Sequence, residues 1–101
     1  MLDRNLYTGL IRLHLLHHAA EGPIFGQAMI DELGRHGYRL SAGTLYPILH
    51  GMERQGYLRS RLTLTSGRNR RVYRATPAGR RALVTARQRV QELFGEMFEQ
   101  D

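Results

Sequence analysis

The sequence has no cysteine, no lysine and no tryptophan, and only three prolines in 101 residues. Without cysteine there is no disulfide framework, no thiolate nucleophile and no cysteine metal site, so the reducing cytoplasm is the expected location. No apolar run approaches the roughly 18 residues of a membrane span, and the opening Met-Leu-Asp-Arg-Asn lacks the basic stretch and apolar core of an export signal. Neither a Gly-rich phosphate loop, a nucleophile elbow nor a carboxylate pair is visible, so neither an enzyme nor a cofactor site is expected. Acidic residues are also missing in a pattern: none stands between Glu53 and Glu92.

The basic residues fill that gap. The formal charge is +6, and Arg54 to Arg89 supply every charge of the acid-free stretch. Such a block casts a positive potential over one side of a small molecule, which makes double-stranded nucleic acid the leading partner and an anionic membrane face a weaker one. With 42% hydrophobic residues the chain builds one modest core, without a separate substrate lobe.

Apolar spacing predicts the elements. Leu6, Leu10, Leu13 and Leu16, widened by Ile11 and Leu15, predict a helix from Asn5 to about Ala20, ended by Glu21-Gly22-Pro23. Gly26 opens a second, shorter helix with Ala28, Met29, Ile30 and Leu33 inward. Ser41 caps a third by accepting from its free amides, with Leu45, Ile48, Leu49 and Met52 on the apolar side. Pro47 conflicts with a helix begun at Ser41, so either the helix starts with Thr44 as its cap or its early turn is distorted near Gly43. Leu58, Leu62 and Leu64 alternate with Arg59, Arg61 and Thr63 as a half-buried strand, Ser66 to Asn69 turn, and Val72 and Tyr73 return. Thr76-Pro77 then caps and starts a last helix running nearly to the terminus.

The order of three helices, a hairpin and a helix is a winged helix-turn-helix followed by a long C-terminal helix. It divides into a DNA-binding unit at 1–76 and a dimerisation helix at 77–101. Ser41, Gly43 and Thr44 offer small groups and hydroxyls to a DNA backbone or base edge, while Tyr46 and His50, four apart, lie off the apolar stripe and are expected to be exposed. At the hairpin tip Arg68, Asn69, Arg70 and Arg71 can bind phosphate bidentately or enter a narrow minor groove. Strand alternation sends Arg70 and Arg71 to opposite faces, so one of the arginines braces the wing.

The outer helices carry more apolar surface than so small a core requires. Leu6, Leu10 and Leu13 are expected to meet Leu83, Val90, Phe94 and Met97 of a second copy, forming a symmetric dimer that spans about one DNA turn, roughly 34 Å. His14 and His18, four apart on a helix, have a spacing that can hold a cation, but no second ligand cluster accompanies them in the sequence and no metal site is expected.

Four segments carry a family resemblance: S-x-G-T-L-Y-P-x-L from Ser41 to Leu49, Glu53-Arg54-Gln55-Gly56-Tyr57-Leu58, Gly67-Arg68-Asn69-Arg70-Arg71-Val72-Tyr73, and Thr76-Pro77-Ala78-Gly79. In order and spacing they resemble the PadR family of bacterial transcription regulators, and the short tail after Ala75 resembles its compact subgroup with a single C-terminal helix. One departure is Gln27, where the family usually has an aromatic residue after the glycine. The resemblance implies a homodimeric repressor whose third helix enters the major groove beside the wing, and in many members a small-molecule effector near the dimer centre. Tyr7, Phe94 and Phe98 serve equally as core or as pocket lining. The rival reading is a winged module that docks on an acidic protein without specific DNA binding.

Overall fold

The computed structural model describes residues 3–99. Its elements are α1 (Arg4–Glu21), β1 (Ile24–Phe25), α2 (Gly26–Arg35), α3 (Ala42–Arg54), β2 (Leu58–Thr65), β3 (Arg68–Ala75) and α4 (Pro77–Phe98). The strand β1 was not expected: two residues between helices carry no periodicity, and their pairing partners, Tyr73 for Ile24 and Val72 for Phe25, lie far along the chain. The sheet is antiparallel in the order β1-β3-β2, which leaves β2 as an edge.

Helix ends are fixed by side chains at two places. Asp3 accepts the Leu6 amide at 3.1 Å at the start of α1, and Thr76 accepts the Gly79 amide at 3.0 Å at the start of α4, where Pro77 takes the first helical position. The Thr76 hydroxyl also donates to the Gly56 carbonyl at 2.5 Å, so one residue ties the base of the hairpin to the last helix.

The third helix begins at Ala42, which overturns the reading in which Thr44 caps a later start. Pro47 therefore sits inside α3, and the first turn is tightened, with the amides of Thr44 and Leu45 both reaching the Ser41 carbonyl at 3.1 and 3.0 Å. Ser41 is the cap position, but its side chain makes no capping bond; its hydroxyl lies 3.4 Å from that of Thr44 instead.

The core is built from Ile11, Leu15 and Leu16 of α1, Met29 and Leu33 of α2, Leu45, Leu49 and Met52 of α3, with Ile24, Leu58 and Tyr73 from the sheet. The first half of α4 closes it. Gly79 is buried where a β-carbon would strike the Tyr57 carbonyl, and this close approach lets Ala82 and Leu83 pack against the core. Beyond that point α4 projects: Val90, Leu93, Phe94, Met97 and Phe98 are all exposed. The molecule is accordingly elongated, 56 × 33 × 21 Å.

The hairpin also projects, which corrects the expectation that Leu62 and Leu64 are half-buried with Leu58. Leu58 lies in the core, but Leu62 and Leu64 are 60% and 71% exposed, because no helix lies beneath the outer half of the ribbon. Alternation gave the face correctly; it did not reveal where the body ends.

Candidate nucleic-acid interface

The tip of the projecting hairpin is a two-residue turn, Ser66 and Gly67, both at positive φ (52° and 76°), the geometry whose twist matches paired antiparallel strands. The turn is thus shorter than expected. Arg68 and Asn69 belong to β3, facing Thr65 and Leu64 across the ladder.

Residues directly opposite in the ladder share a face, and the register sorts the arginines. Arg59 with Arg74, Thr63 with Arg70 and Thr65 with Arg68 lie on one face together with Arg61. Arg59, Arg61 and Arg74 were not singled out from sequence, although period-two alternation was the available signal. Opposed like charges such as Arg59 and Arg74 weaken a sheet unless an anion lies over them.

The two central wing arginines part as alternation requires. Arg70 stacks its guanidinium 4.9 Å from the ring centre of Phe25, whereas Arg71 turns to the other face and donates to the Ser60 hydroxyl at 3.1 Å. Ser60 in turn gives its backbone amide to Glu53 at 2.9 Å and its hydroxyl to the same carboxylate at 2.8 Å. Arg71 is the bracing arginine, and Glu53 at the end of α3 anchors the wing to the helix. Behind Ser60, Tyr73 is fully buried; burial first, and the Glu53 charge second, push its phenol above the ordinary value.

At the start of α3, Ser41, Gly43 and Thr44 are exposed, as is His50 two turns on. Tyr46 departs from expectation. Its ring packs against the core and over Gly26, 6.2 Å from the His50 ring, because α2 passes close to that side of α3. It nonetheless borders solvent through a cleft of about 370 Å³ lined by Phe25, Gly26, Gln27, Tyr46 and residues 68–71. In this cleft α3, the opening of α2 and the hairpin arginines meet. Gln27 is exposed, its amide 3.2 Å from Asp31.

The residues expected at a second copy divide into two groups. Leu6, Leu10, Val90, Phe94 and Met97 are exposed, with the rings of Phe94 and Phe98 5.1 Å apart, whereas Leu83 packs on the core of its own chain. Leu13 is half-buried along a groove of about 200 Å³ between α1 and α4 that Arg12, Met52, Tyr57 and Ala86 also line. His18 lies 3.8 Å from Glu21 and 3.6 Å from Glu32. The His14 ring lies 4.8 Å from His36 and 5.4 Å from Tyr38, and burial, then the neighbouring His36, His18 and His17, lower its pKa.

No helix among the described residues is long and apolar enough to cross a membrane. Residues 15–85 match the family described as Transcriptional regulator PadR-like. The chain is 51% identical over 94 residues to the transcriptional regulator Rv3488 of Mycobacterium tuberculosis, an alignment covering 93% of this chain and 88% of that protein. Among solved structures it is similar to a PadR family transcriptional regulator from Eggerthella lenta at 32% identity and a TM-score of 0.73, covering 96% of this chain and 88% of that one. A PadR-like transcriptional regulator from Bacillus cereus shares the fold at 22% identity with a TM-score of 0.80, covering 96% and 99%.

Proposed function

The chain belongs to the PadR-like family of transcriptional regulators, and from that membership we propose that it is a sequence-specific repressor acting as a cytoplasmic homodimer on a palindromic operator. The carrying observation is the cleft in which Tyr46 of α3 and the wing arginines share one opening. A duplex laid across it meets hydroxyls from Ser41 and Thr44 at its major groove and guanidinium groups at the flanking backbone. Residues 1–76 read the DNA. The projecting end of α4 supplies the contact between copies, with Leu6 and Leu10 of α1 beside it.

In this reading Arg68 and Arg70 contact phosphate or the minor groove, Arg71 holds the wing in place, and His50 follows the groove one turn beyond Tyr46. The exposed faces of α1 and α4 bury each other across a two-fold axis, so two α3 helices fall about one helical turn apart, roughly 34 Å. The test is binding to the DNA upstream of the chain's own gene over a salt series. Sequence-selective, salt-sensitive retardation is expected; none at low salt overturns the reading in favour of a winged module that docks on protein.

A further inference from the structure

His14, His17, His18 and His36, four of the five histidines, gather with Glu21 and Glu32 where α1 ends against α2. At the C-terminal end of α1, His17 Nε2 lies 3.6 Å from Glu21 Oε2 and His18 Nδ1 lies 3.8 Å from Glu21 Oε1. One donor atom from each of the three residues falls within 4.8 Å of the others. A tetrahedral cation with bonds of roughly 2.0–2.2 Å to nitrogen and oxygen holds its ligand atoms somewhat over 3 Å apart, so small side-chain rotations close this set.

Two features of the surroundings favour a cation at this point. The carbonyls at the end of an α-helix form the negative pole of its dipole, and the three residues lie within the last five positions of α1. The other nitrogen of His18, Nε2, faces Glu32 Oε2 of α2 at 3.6 Å. That carboxylate is held in place by Arg35 at 2.5 Å and His36 at 2.8 Å. A carboxylate anchored behind one imidazole nitrogen, with the other nitrogen facing the site, is the arrangement by which proteins orient a metal-binding histidine.

We propose that His17, His18 and Glu21 form a binding site for one borderline divalent cation of the zinc class, with Glu32 orienting the His18 ring from across the helix joint and water completing the coordination. The nitrogen and carboxylate donors suit zinc, cobalt or nickel above magnesium or calcium. Only Gly22 and Pro23 separate the site from Ile24 and Phe25, and Phe25 carries Arg70. The cation is therefore placed to act as effector of the proposed regulator, a role that rests on the DNA-binding reading whereas the site does not.

Calorimetry of tag-free protein with zinc chloride and, separately, magnesium chloride tests the site without DNA. One zinc per chain is expected, with no magnesium uptake, a loss of at least tenfold in affinity in His17→Ala, His18→Ala and Glu21→Gln, and about 10–100-fold in Glu32→Gln. His14→Ala and His36→Ala should each keep the cation within a few-fold. Failure of the wild type to take up zinc overturns the site, as does binding that survives His17→Ala and Glu21→Gln but is lost in His14→Ala. For the effector role, zinc should change operator affinity at least fivefold in the wild type and not in His17→Ala. Unchanged operator affinity in zinc-loaded protein overturns that role alone. Absence of operator binding with and without zinc overturns the role together with the DNA reading, and the calorimetry still decides the site.

Discussion

Tyr46 lies over Gly26 so closely that a β-carbon at residue 26 would overlap its phenol. The glycine that opens α2 and the aromatic ring of α3 are thus one packing unit, and the unit forms the floor of the cleft beneath the wing.

Gly26→Ala is expected to destabilise the fold by about 1–3 kcal/mol, the usual cost of overfilling a packed site. Thermal melting should show it as a fall of several degrees. Adding Tyr46→Ala removes the obstruction, so the double variant should lose less than the sum of the two single losses. Strict additivity would mean that the two residues do not press on each other.

The wing should loosen when its anchor is cut. Glu53→Ala leaves the Ser60 amide and hydroxyl without their acceptor, so the hydroxyl that accepts from Arg71 is no longer held to α3, a loss of about 1–3 kcal/mol. Amide exchange should rise first in residues 58–62 and 71–75, with the α1 core slower to respond. Uniform acceleration across the chain would show that Glu53 supports the whole fold and not the wing in particular.

Salt dependence separates the arginines. Removal of Arg68 or Arg70 should lower the slope of log affinity against log salt by about 1 each, since each phosphate contact releases about one counterion. Arg71→Ala should change the slope less, its guanidinium being committed to Ser60. Thr44→Ala should relax sequence preference while leaving the slope in place. A steeper slope change for Arg71 than for Arg70 would reverse the assignment of brace and contact.

Association of two copies is expected to fail when the projecting end of α4 is charged. Phe94→Glu with Met97→Glu should run as a monomer in light scattering, keep its helix content because both side chains are exposed in the single chain, and lose affinity for a two-half-site operator. A variant that stays dimeric with full affinity would remove α4 from the interface.

The helices and the cap of α4 were legible because each is a local matter: Thr76-Pro77 announces α4, and the leucines of α1 repeat at one spacing, whereas Ser41 holds the cap position of α3 without a side-chain capping bond. What sequence did not disclose depends on residues far apart in the chain. The strand β1 exists through Tyr73 and Val72, Tyr46 is half-buried because α2 passes beside it, and Glu53 matters through Ser60 and Arg71. The histidines are the clearest case. His14 and His18 were visible as a spaced pair, but Glu21 is faced by His17 as well as His18, and the orienting Glu32 arrives on another helix. For α3, a local rule misled, since Pro47 argued for a later start and the helix admits it in its interior.

The outer side of β2 has no neighbouring strand, and Leu62 and Leu64 stand bare on its ribbon. A hydrogen-bonding margin of that kind invites stacking of one ribbon on another, and Arg59 and Arg61 are the residues that discourage it by repelling their counterparts on an identical molecule. Colloidal behaviour therefore becomes a property of the wing: concentrated solutions should cloud as polyvalent anions mask those side chains, and clear again when the anions are diluted.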